Sequence, residues 1–120
     1  MSPISCPDNV AFDSVGNLWI STDGQPSAIT LNDGLFKVPL AGPERGRVQQ
    51  FLAVPAGAET CGPVIHDRDG SVFVAVQHPG EDGTYATPQS YFPDYVPSGS
   101  PAGRGDFAGP RPSVVQVTRR

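Results

Sequence analysis

Shifting the chain on itself by 54 residues brings two strand–turn–strand units into register. Val10 falls on Val64, Asp13 on Asp67 and Gly16 on Gly70; Leu18, Trp19 and Ile20 fall on Val72, Phe73 and Val74. Each unit is an Asp-x-x-Gly turn between short alternating apolar runs, the period of a half-buried strand. The Asp side chain can accept from backbone N–H groups of its own turn, and Gly supplies the positive φ that closes it. A third strand follows in both units, "LFKVP" at 35–39 and "VVQVT" at 114–118, but at a shift of 79. The second unit therefore holds 25 more residues between its second and third strands. No segment carries a helix-period apolar stripe of useful length. Repeated four-stranded antiparallel units of ~40–50 residues describe β-propeller blades. The expected fold is all-β, a partial β-propeller of about two blades, one over about 9–54 and one over about 60–118. Its strands in the first blade are 9–13, 17–21, 35–39 and 47–54. Propellers close on roughly four to eight blades, so this chain holds under half a ring. Two blades alone expose apolar faces and unpaired edges, which the missing blades or self-association would cover.

The 25 residues fall in a long Gly/Pro-rich loop, 77–112, which takes seven of the 14 prolines and six of the 14 glycines. Loops beyond about 12–15 residues are uncommon unless functional or disordered. Tyr85, Tyr91, Phe92, Tyr95 and Phe107 favour a loop that packs on the ring, because a solvated linker has little use for aromatics. An Arg-Gly-Asp tripeptide, 104–106, lies among Gly and Pro residues and reads as a chance match.

Composition removes several function classes. A net charge of −4 and a pI near 4.8 argue against nucleic-acid binding, which needs clustered Lys and Arg. No run approaches the ~18 apolar residues of a membrane span. The first ten residues, "MSPISCPDNV", lack a basic-then-apolar export signal, which reads as cytoplasmic if the chain is complete as given. Two cysteines, Cys6 and Cys61, fit either one disulfide or two buried thiols, and no CxxC or Cys/His pattern indicates zinc.

Oxygen-bearing side chains gather at strand ends. "CPDN" carries Asp8 and Asn9 ahead of one inner strand, and "AGAETCGP" (56–63) carries Glu59 at the corresponding place in the next unit. Asp23 ends a strand in "STDG"; Gln77, His78, Glu81 and Asp82 occupy the matching end in "QHPGED". Inner strands line a propeller's axial channel, so such loops converge and could place oxygens around Ca²⁺, which takes six to eight. Two blades supply only part of that shell. Asp13 and Asp67 read as turn formers, and Asp8 could cap its own turn. Glu59 has no turn duty that Ser or Asn would not perform better. Cys61 reads as a small buried neighbour and His66 as a packed or surface histidine. Gly57, Gly62 and Pro63 are expected to keep regular structure away from Glu59. No Gly-x-Ser-x-Gly elbow, HExxH motif or Ser-His-Asp set is identifiable.

The strings "CPDNVAFDSVGNLWISTDG", "NDGLFKVPLAGPERGRVQQFLAVPAGAETCGP", "VFVAVQHPGEDGTY" and "GPRPSVVQVTRR" resemble, in this order, the C-terminal end of PhoX-type alkaline phosphatases. This bacterial family was formerly of unknown function. The resemblance runs from Cys6 to Arg120. It implies a six-bladed ring, phosphate monoester hydrolysis, a site built from calcium and iron, and export to the periplasm or beyond by the twin-arginine route. It makes Glu59 a metal ligand, with Asp8 and Asn9 as calcium-side ligands. Family members are several times longer, and Cys61 is not equated with their iron-ligating cysteine. The expectation is a fragment inactive alone, with catalytic and substrate-binding residues unassigned. The alternatives are a non-catalytic calcium- or partner-binding propeller remnant and a lactonase-like propeller hydrolase. "DNVAFDSVGNLWIS" suits a lactonase; "QHPGE" and "GPRPSVV" fit it poorly.

Overall fold

A computed structural model of the protein describes residues 4–94 and 109–119. Among them two antiparallel meanders form. The first orders β1 (Pro7–Phe12), β2 (Leu18–Thr22), β3 (Gly34–Val38) and β4 (Gln49–Ala53). The second orders β5 (Glu59–His66), β6 (Ser71–Gln77) and β7 (Ser113–Thr118). The chain is nearly all-β and forms part of a propeller, with four strands in one blade and three in the other.

The repeat is as visible in geometry as in sequence. Gly16 N donates to Asp13 O at 3.1 Å and Gly70 N to Asp67 O at 3.2 Å. Both glycines have positive φ, 84° and 72°, which a side chain would oppose. The register also breaks at equivalent places, between Pro7 and Val10 in β1 and between Cys61 and Val64 in β5. A bulge of this kind bends a strand and re-aims its side chains. Here it falls at Asp8 and Asn9 in β1 and directly after Cys61 in β5. The expected break in regular structure around Glu59 is thus only a bulge, and Glu59 is the first residue of a strand.

The sheets pack face to face over Trp19 and Leu35 of one and Val72 and Val74 of the other, with Ala11, Leu52, Ile65 and Val115 at the margin. Phe51 meets the Trp19 ring edge-on at 5.1 Å. A second cluster joins Val54, Ala58 and Val76, and Phe92 packs against it. The inserted loop therefore does pack on the blade through Phe92, whereas Tyr85 is exposed. Tyr95, Phe107 and the Arg-Gly-Asp tripeptide lie outside the described residues. Outward-facing Val10, Phe12, Val64 and Val114 remain exposed, as expected of blades without neighbours.

One helical turn, α1 (Gln25–Ile29), was not expected. Five residues are too few for an apolar period, and the turn is held from downstream instead. Asp33 accepts from Gly24 N at 2.9 Å and Gln25 N at 3.0 Å. Gln25, fully buried, donates to Asn32 O and accepts from Ser5 N. This amide fastens the lead-in to β1 onto the β2–β3 connection.

Candidate metal centre

The start of β5 lies beside the start of β1, and the contact between the sheets there is polar. Asn9 Oδ1 accepts from Gly62 N at 2.9 Å and from the Cys61 thiol at 3.2 Å. Asn9 N in turn approaches Ser21 Oγ at 3.3 Å. With its oxygen already engaged, Asn9 sets the spacing between the bulges.

Held in this way, Asp8, Glu59 and Cys61 each offer a ligand atom, all within 4.8 Å of one another. Asp8 comes from one sheet and the other two from the second. Glu59 is buried, Cys61 half-buried and Asp8 exposed. The Cys61 thiol is pushed above its ordinary value, first by burial and then by the Glu59 charge. Cys6 and Cys61 are both free thiols. Cys61, read from sequence as a mere neighbour, thus stands in the cluster.

Glu59 also faces the other way. Its Oε2 accepts from Gln77 Nε2 at 3.1 Å and lies 3.0 Å from His78 Nε2. His78 Nδ1 lies 3.1 Å from Glu81 Oε2 without meeting hydrogen-bond geometry, so the atom is buried and unpartnered. Burial opposes protonation of His78, but the hydrogen bond to Glu59 and the Glu81 charge outweigh it and raise its pKa. Beyond His78 opens a cleft of about 180 Å³ between the blades, lined among others by Asp23, Ser27, Glu81, Asp82 and Gln89. Of the polar residues expected at matching strand ends, Asp23, His78, Glu81 and Asp82 line it, whereas Gln77 turns to Glu59.

A profile of the family "Alkaline phosphatase PhoX" matches residues 1–80. The chain belongs to this family. In three dimensions it is similar to Pseudomonas fluorescens PhoX in complex with vanadate, a transition state analogue, at 35% identity and a TM-score of 0.67. The match covers 94% of this chain and 17% of that one, so the chain spans about a sixth of the PhoX it resembles. No curated protein matches. Among the described residues no helix is long and apolar enough to cross a membrane.

Sequence reasoning missed the Glu59–His78 contact, although the signal was present. Counting outward from the Asp67–Gly70 turn places Glu59 opposite residues 77 and 78, and the observed pair is Glu59 with Gln77. The other PhoX-derived expectation, Asn9 as a ligand, meets an oxygen that already accepts twice.

Whether a metal fits can be judged from the donors. Two carboxylates beside a thiol repel each other when ionised, and a cation between them would relieve that. The residues fit part of a metal shell.

Proposed function

We propose that this chain supplies Asp8, Glu59 and Cys61 as ligands to the metal site of a PhoX-type phosphatase acting on phosphate monoesters. The observation that carries this reading is the convergence of the three groups from two blades, within 4.8 Å. Calcium and iron are the metals the family resemblance implies, and the donor chemistry bears on how they divide. A thiolate with carboxylates suits a transition ion such as iron, whereas Ca²⁺ seeks six to eight oxygens. Glu59 would join Cys61 on the transition ion and Asp8 would be this cluster's contribution to calcium, with Asn9 holding the two bulges at ligand spacing.

A bound metal ion in such a site neutralises charge on the phosphoryl oxygens and lowers the pKa of bound water. The residues of this chain fix where that charge sits. Asp8 and Glu59 bring negative charge from opposite sheets, and the Asn9 bridge keeps the sheets from drifting apart. Three donors fall short of a complete shell, which is why the chain alone is read as inactive. Export by the twin-arginine route belongs to the same family reading, as does completion of the ring by further blades.

Metal content and titration of the purified 120-residue chain test the proposal. Iron or cobalt should bind to the wild type, and Glu59→Gln should weaken binding by about 10- to 100-fold, the scale for disturbing a ligand set. Equal uptake by wild type and Glu59→Gln would remove Glu59 from the site. Metal-dependent turnover of p-nitrophenyl phosphate by this chain alone would sink the inactivity claim.

A further inference from the structure

Resting on the reading of Glu59 as a ligand, we propose that His78 is a positioning residue that fixes the orientation of the Glu59 carboxylate. Three independent features meet at His78. Its Nε2 lies 3.0 Å from Glu59 Oε2, the oxygen that also accepts from Gln77. With Gln77 donating to that oxygen, and His78 donating to it whenever Nε2 carries the proton, the carboxylate is kept from turning about its last bond and the other oxygen is left for a ligand. On the far side of the ring, Glu81 Oε2 lies 3.1 Å from Nδ1, so the imidazole is clamped between two acids. Finally, His78 has φ of 33°, a left-handed conformation that a residue with a Cβ adopts only where its surroundings impose it.

A strand end has no need of this arrangement. β6 stops at Gln77 and Pro79 follows, so any residue tolerating the turn would serve to leave the sheet. Glycine would do so without strain. Histidine in a strained backbone, with one nitrogen on a candidate ligand and the other facing a second carboxylate, is the pattern of an outer-shell partner. Such partners orient ligands rather than bind the ion. Glu81, which faces the other ring nitrogen at 3.1 Å without a hydrogen bond, also lines the cleft between the blades.

The test compares His78→Gly, which relieves the backbone and removes the clamp, with His78→Gln, which keeps an amide N–H near the Nε2 position. Two readouts are taken on the 120-residue chain: the side-chain carboxyl ¹³C resonance of Glu59 without metal, and cobalt(II) chloride titration followed by thiolate-to-metal absorption. In His78→Gly the Glu59 resonance should shift or broaden, and Co²⁺ should bind about 10- to 100-fold more weakly. His78→Gln should restore the resonance and most of the affinity. An unmoved Glu59 resonance in His78→Gly, or a His78→Gln indistinguishable from His78→Gly, would overturn the assignment. If the wild type takes up no Co²⁺, the metal reading falls, and the Glu59 resonance still decides whether His78 positions the carboxylate.

Discussion

The two ends of the paired sheets handle their acids in opposite ways. At the turn end, Asp13 is buried and each of its oxygens is matched with donors. Oδ1 accepts from Val15 N and Asn17 N, at 3.2 and 2.8 Å. Oδ2 accepts from Asn17 Nδ2 at 2.8 Å and Trp19 Nε1 at 3.2 Å, with Lys37 Nζ at 3.1 Å. At the other end, Asp8 and Glu59 lie beside the Cys61 thiol, and the basic group near Glu59 is a histidine, His78, 3.0 Å away. Among the described residues, the buried polar atoms without partners, Ser5 Oγ, Thr60 Oγ1 and His78 Nδ1, also lie there. One end is a completed hydrogen-bond network and the other is left open. An open polar end is expected where a ligand completes the structure, because locally inconsistent features concentrate at functional sites.

The largest effect should come from breaking the completed end. Asp13→Ala strands the Trp19 indole N–H and the turn amides, and it leaves Lys37 over the Trp19 ring without its acid. Removing one partner from a buried, charge-assisted network should destabilise the chain by about 3 kcal/mol, measured by urea unfolding. Co²⁺ binding by the molecules that remain folded should be unchanged. Glu59→Gln should do the reverse, leaving the metal-free unfolding midpoint where it was. If Asp13→Ala abolished metal binding in the folded chain, the two ends would not be independent.

Acid should act at the same end. Burial alone would raise the Asp13 carboxyl, but hydrogen bonds from the Asn17 side chain and backbone, Trp19 and Lys37 overcome it and hold it well below the usual range. A carboxyl depressed in the fold binds its proton more readily when unfolded. Its stabilisation is therefore present above the ordinary value of about 4 and is lost as pH falls below it. Unfolding midpoints taken from pH 6 downwards should decline for the wild type and decline less steeply for Asp13→Asn. Parallel curves would assign the acid sensitivity to other groups.

This contrast marks how far sequence could go. The strands were legible because period-2 alternation and Asp-x-x-Gly turns are local signals: "SVFVAV" at 71–76 became Ser71–Gln77, and "SVVQV" at 113–117 became Ser113–Thr118. The convergence of Asp8 and Glu59 was legible too, through the repeat. Cys61 was not, because a bulge decides which way its thiol points and nothing local announces the bulge. The α1 turn stayed hidden for a related reason, since its stabilising acid, Asp33, lies downstream of the helix it caps. The role of Asp67 was half visible: it forms its own turn, but its side chain serves the other blade.

The smallest effect should come from that last contact. Asp67 accepts from Ser14 N at 3.2 Å and Ser14 Oγ at 2.8 Å, which ties the two turns together across the blades. The Ser14 side-chain bond, first among its causes, lowers the Asp67 pKa. Asp67 occupies the repeat position of Asp13, yet it is exposed, and water replaces lost partners at a surface. Asp67→Ala should therefore lower the unfolding midpoint far less than Asp13→Ala. The informative measurement is a double-mutant cycle with Ser14→Ala, where contact between the residues predicts that the double variant is little worse than either single one. Strict additivity would mean that the turns do not hold each other. The site end would then be spaced by Asn9 and the shared apolar core alone.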